Sequence, residues 1–172
     1  VEIMETDPLV TIVHTNWRIY NESTHDTKDN DVVQFPARKT DGKLMLEAIV
    51  TQTVTPVVHL CTALYRAETI KRCYDANIDL FRNKDIGCED LQIVFMLALN
   101  GMVAYLPDVT MTYSTGKSSV SNQPNHVKQF RFVRQTAMLS WRLANLAGID
   151  TEQTRWFFSL RVFELLMHAF RR

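Results

Sequence analysis

Lys84-Asp85-Ile86-Gly87-Cys88-Glu89-Asp90-Leu91-Gln92-Ile93-Val94-Phe95-Met96-Leu97-Ala98-Leu99-Asn100-Gly101 reads as a loop, an acidic pair, a helix and a stop. Glu89 and Asp90 stand where the positive end of a helix dipole favours carboxylates. From Leu91 to Leu99 the chain is apolar nearly all round, so this helix belongs inside the protein. Gly101 is the expected C-terminal stop. A buried helix with two carboxylates at its mouth has two readings: a capped core helix, or a rigidly held acid-base group.

Around that helix the chain alternates strands and helices. Leu9-Val10-Thr11-Ile12-Val13-His14-Thr15 is rich in β-branched residues and predicts a buried strand, which Trp17 to Tyr20 extends or folds back as a hairpin arm. The polar run 21–31 predicts a loop, Val32 to Phe35 a short strand closed by Pro36, and Asp41-Gly42 a turn. Leu44 to Val50 predicts a short helix, Val57 to Tyr65 a second buried strand, and Arg66 to Ala76 a helix. Beyond Gly101, Met102 to Leu106 predicts a strand, Pro107-Asp108 a turn, Val109 to Tyr113 a strand, and 114–125 a polar loop. At the other end, Val1 to Pro8, with no initiator Met, predicts a helix running into a turn and suggests a piece of a longer protein.

The C-terminal part differs in kind. Phe130, Val133, Ala137, Trp141 and Ala144 recur at helical spacing from His126 to Ala147, and Gly148 stops that helix. Asp150 reads as the next N-cap, with Gln153 at capping-box spacing. Trp156, Leu160, Phe163, Met167 and Phe170 then carry a second long helix. The expected organisation is an α/β part over 1–125 and a helical hairpin over 126–172. Arginines interleave with the hairpin aromatics. Packing back on the body, homodimerisation and contact with an anionic membrane surface are the three readings of that stripe.

Composition excludes some classes. The 172 residues carry 19 Lys plus Arg and 19 Asp plus Glu, and this zero net charge argues against nucleic acid as a partner. No apolar run has the length of a membrane span, and no signal peptide is visible. Cys61, Cys73 and Cys88 match no zinc spacing and read as small hydrophobes in a reducing, cytoplasmic setting, with the inner face of the membrane as a variant of it. His14 and His59 read as satisfied core residues.

Four segments, in order, resemble the second half of the catalytic domain of inverting family-two glycosyltransferases, which have a GT-A fold. Val1 to Thr15 resembles the segment "Gln-Val-x-x-Met-Glu-x-Asn-Pro" leading into a strand. Leu60 to Arg66 resembles the "Ser-x-Met-Phe-Arg-Arg" strand end on the acceptor side. Gly87-Cys88-Glu89-Asp90-Leu91 resembles the Glu-Asp motif opening the helix beneath the active site. Asn100 to Pro107, with Tyr113 and Ser119-Val120-Ser121, resembles "Lys-Gly-x-Ile-x-Tyr…Tyr-Arg…Ser-x-Ser". The resemblance covers about the first two-thirds of the chain. It implies the acceptor-side half of a GT-A-like mixed sheet, with Asp90 as catalytic base and Glu89 as its helper. It further implies acceptor or phosphate contacts from Arg66, Thr62, Tyr113, Lys117, Ser119 and Ser121, and it makes His126 a candidate metal ligand.

The implied reaction moves a sugar from a nucleotide-diphosphate donor to a hydroxyl acceptor, a polysaccharide or glycolipid. It implies Mn²⁺ or Mg²⁺ on an Asp-x-Asp motif in the nucleotide-binding half of the complete enzyme. This chain departs from the pattern there. Asp29-Asn30-Asp31 matches the letters but follows the first strand instead of preceding it. The chain alone is therefore expected to hold no metal and not to turn over. The alternative is a non-enzymatic α/β interaction module that dimerises or binds partners through its C-terminal helices.

Overall fold

A long central strand, β1 (Val10–Asn21), organises an α/β fold. The computed structural model describes residues 1–30, 39–51, 57–116 and 125–170. Among these, seven helices accompany one mixed five-stranded sheet. On one side β1 runs parallel to β5 (Met102–Thr115), from Val10 opposite Met102 to Asn21 opposite Thr115. On its other side β1 pairs antiparallel with β4 (Ala63–Tyr65) over its first half and with β2 (Asp26–Asp29) over its second. The remaining strand, β3 (Lys39–Asp41), pairs antiparallel with β5 on the far side.

Side-chain alternation along β1 and β5, shifted by an irregularity between Val10 and Ile12, divides the core between the two faces of the sheet. Ile12 and Val103 join the larger cluster, with Ile49, Val50, Phe95, Leu97, Leu139 and Leu143. These come from α2 (Leu46–Val50), α5 (Glu89–Leu99) and α6 (His126–Leu146). Val10, Val13 and Ala104 join a small second cluster with Met4, which lies on α1 (Glu2–Thr6). The main core thus runs from the α/β part into α6. Seven of the eleven residues of α5 are buried, as its unbroken apolar run predicts. Asp41 starts a 3-10 turn, Gly42–Met45, by accepting the Lys43 N–H at 3.0 Å. Gly42 itself lies against the end of α5, where a Cβ would overlap the carbonyl oxygens of Ala98 and Gly101.

Four local expectations need correction. The polar run after Asn21 contains β2, whose four residues are all exposed; an edge strand wet on both faces leaves no alternation to read. Only Ala63–Tyr65 of the expected strand from Val57 pairs as a strand, because Leu60–Thr62 forms a 3-10 turn with the His59 ring accepting the Cys61 N–H. Pro107-Asp108 makes no turn. Leu106 faces Thr15 while Val109 faces Asn16, so the two residues bulge from a continuous β5. A bulge accommodates the missing proline N–H without ending the strand.

The fourth correction concerns α7 (Glu152–Phe170), which is capped by Thr151, not Asp150. Thr151 N–H donates to Thr154 Oγ1 at 2.9 Å, and Thr154 N–H donates back to Thr151 Oγ1 at 3.1 Å. Asp150 instead pairs with Arg155 at 3.3 Å. Gly148 ends the α6 segment with φ +66, as expected of a helix-stopping glycine. The expected strand from Val32 to Phe35 lies outside the described residues.

Candidate active site

Helix α5 leads into β5 through Asn100 and Gly101 and spans about 16 Å at 1.5 Å per residue. It therefore folds back along the sheet, and its first turn comes to lie away from the start of β5. Glu89 and Asp90 are exposed in that first turn. The N-cap is Cys88, and no side chain caps the helix. Among the described residues, the Asp90 carboxylate makes no hydrogen bond or ion pair. Its charge acts on His59, whose pKa burial lowers and the Asp90 charge partly restores.

His59 lies in a row of rings. Its centroid is 5.4 Å from Trp17, edge-on, and 5.1 Å from Tyr113. The sheet register sets this spacing: Trp17 faces Met111 and Ile19 faces Tyr113, so Tyr113 follows one pleat repeat beyond the partner of Trp17. Trp17 is buried, whereas Tyr113 is 37% exposed. Burial pushes the His59 pKa down, and the Asp90 charge only partly opposes it. With Nδ1 accepting the Cys61 N–H at 3.3 Å, the neutral ring carries its proton on Nε2. Burial likewise raises the pKa of the Cys88 thiol, with the Asp90 and Glu89 charges adding to it. Cys88 is therefore a protonated thiol and no nucleophile.

Arg66 and Thr62 turn inward. Arg66 Nε donates to Val10 O at 2.7 Å, and Nη2 donates to Asp7 O at 3.0 Å and to Met4 O. That guanidinium ties α1 to the start of β1, the opposite end of the strand from Trp17. Thr62 Oγ1 donates to His59 O at 2.8 Å and lies 3.1 Å from Thr15 O, which fixes the turn that carries His59. Lys117, Ser119 and Ser121 lie outside the described residues. His126 is exposed in the first turn of α6, where Asn125 caps the Val127 and Lys128 N–H groups.

The metal implied by the resemblance finds no ready donor set. Among the described residues, no three His, Cys, Asp or Glu side chains come together to hold an ion. Asp29, of the Asp-x-Asp look-alike, is exposed and bonded to Arg18 at 3.0 Å.

The sequence reading places His59 and Trp17 in strands and gives them no role. No local signal marks them, because the Trp17-His59-Tyr113 row joins three segments distant in the chain. His14 is buried as expected, and its Nδ1 has no hydrogen-bond partner among the described residues. No described helix is long and apolar enough to cross a membrane. No family model, curated protein or solved structure matches the chain.

Proposed function

We propose that this chain is the acceptor-binding, base-carrying half of an inverting nucleotide-sugar glycosyltransferase of GT-A type. The observation that carries this is the exposed, uncapping Asp90 carboxylate in the first turn of a buried helix, whose charge acts on His59, the ring next to Tyr113. A carboxylate that caps its own helix has its lone pairs occupied; this one is available.

In this reading an acceptor sugar lies against the exposed Tyr113 ring, and its hydroxyl points at Asp90. Asp90 takes the hydroxyl proton as that oxygen bonds to the anomeric carbon of the donor. The bond to the nucleoside diphosphate breaks on the opposite face, so the configuration inverts. Rigidity is the protein's contribution: the apolar body of α5 is locked in the core and holds the carboxylate in place. Glu89, next in the same turn, helps hold the acceptor. Arg66 and Thr62 support the fold in this account and touch no substrate. The nucleotide and its metal belong to a second half of the site that these residues do not supply.

A second reading rests on α7. Only Thr154 and Phe157 of that helix are buried, while Trp156 is 66%, Phe163 59% and Phe170 81% exposed. Such a face suits an interaction module that forms a homodimer or touches a membrane surface. The two readings separate in one assay: thermal stability of the protein carrying this chain, with a panel of nucleotide sugars and Mn²⁺. A shift confined to one nucleotide class supports the transferase, and no shift with any member favours the module.

A further inference from the structure

A cavity of about 120 Å³ opens between α6 and the loop that leads into α5. That is well above the ~10–15 Å³ that one water molecule needs. Its lining includes Arg131, Arg134, Gln135 and Arg142 from α6, with Asn83 and Asp85 from the loop. The α6 residues stand at i, i+3, i+4 and i+11, which puts them on one side of the helix. Three exposed arginines and one carboxylate thus line it, in a chain whose net charge is zero. Among the described residues, none of the three arginine side chains makes an ion pair or hydrogen bond. Like charges one turn apart, as at Arg131 and Arg134, disfavour the helix unless something answers them.

The opposite wall is held in place. Asn83 Oδ1 accepts the Asp85 N–H at 2.9 Å, and its backbone oxygen accepts the Ile86 N–H at 3.1 Å. Ile86 packs on the core, and at Gly87 a Cβ would lie 2.6 Å from Gln135 Oε1. Loop and helix therefore meet closely beside the cavity.

We propose that this cleft binds a phosphate or diphosphate group. Planar guanidinium forks match phosphate oxygens in pairs, and three of them less Asp85 leave two positive charges, the complement of a phosphate dianion. The inference does not depend on the transferase reading, since none of these side chains is assigned a part in that reaction.

The test is titration calorimetry of the full chain with pyrophosphate and with inorganic phosphate at low salt. Alongside it, the protein is sedimented with phosphatidylcholine vesicles with and without phosphatidic acid. Saturable binding is expected, weakened about tenfold or more by Arg134→Gln and by Arg142→Gln. Asp85→Asn, which removes the opposing charge, should tighten it. Arg155→Gln, at the ion pair with Asp150, should leave it unchanged. Binding of the soluble anions assigns a soluble phosphorylated ligand; vesicle binding alone, with the same arginine dependence, assigns a lipid headgroup. The proposal is overturned if neither arm saturates, if Arg155→Gln weakens binding as much as the cleft variants, or if Asp85→Asn weakens it.

Discussion

His14 should make the fold acid-sensitive in a way that one substitution removes. Its ring is 1% exposed on β1, 5.0 Å from the Tyr105 ring, and burial pushes its pKa from 6.5 down to about 4. The unfolded chain takes up a proton at His14 as pH falls through 6.5, while the native chain does not until about 4. Unfolding is favoured throughout that window, at up to about 1.4 kcal/mol per pH unit, for a total of about 3 kcal/mol. Stability from this residue is complete above pH 6.5, falls between 6.5 and 4, and levels off below. Against a typical total of about 5–15 kcal/mol, that loss is measurable.

The assay is urea unfolding at several pH values between 7.5 and 4, for the native chain and for His14→Leu. Leucine fills a similar space and leaves no unpartnered nitrogen. The difference in stability between the two proteins should shift by about 3 kcal/mol in favour of leucine across the window. Carboxylates and other histidines titrate in both proteins and cancel in the difference. Parallel curves would refute the reasoning, since they would mean that His14 takes up its proton equally well in the folded state.

Three further outcomes follow from local geometry. Gly42→Ala should cost about 3 kcal/mol and lower Tm by roughly 10 °C in a thermal melt, because the new Cβ meets backbone oxygens that cannot swing aside. Thr151→Ala should cost about 1 kcal/mol by the same melt, since it removes the reciprocal cap of α7 together with a hydrogen bond to Glu47; Asp150→Ala should cost less. Asp90→Asn should lower the His59 pKa further, read by NMR titration of the ring protons, because a charge that raises it is gone; an unchanged value would mean that the carboxylate points away from the rings.

How far the sequence could be read depended on whether each element is buried on a regular pattern. The body of α5 was legible because its apolar run had no alternative, and so was the first half of β1. Strand β2 was invisible because an exposed edge strand of Asp, Thr and Lys looks like a loop. The bulge at Pro107 looked like a turn because proline and aspartate mark both, and only the partner strand distinguishes them. The place of Asp90 at a helix start was legible from the acidic pair before an apolar run. The inward use of Arg66 was not, because three carbonyls from the chain's first ten residues create it. The row from Trp17 through His59 to Tyr113 is a product of register and of a 3-10 turn, neither of which is written locally.

The most direct test of the transferase account is nucleotide release from the donor that stabilises the protein, measured with and without acceptor for the native sequence and for Asp90→Asn. The account predicts that Asp90→Asn abolishes transfer to below about one-hundredth of the native rate while donor binding is unchanged. Full transfer by Asp90→Asn would contradict it, and the exposed carboxylate at the start of α5 would then have to be read as a solvated helix end.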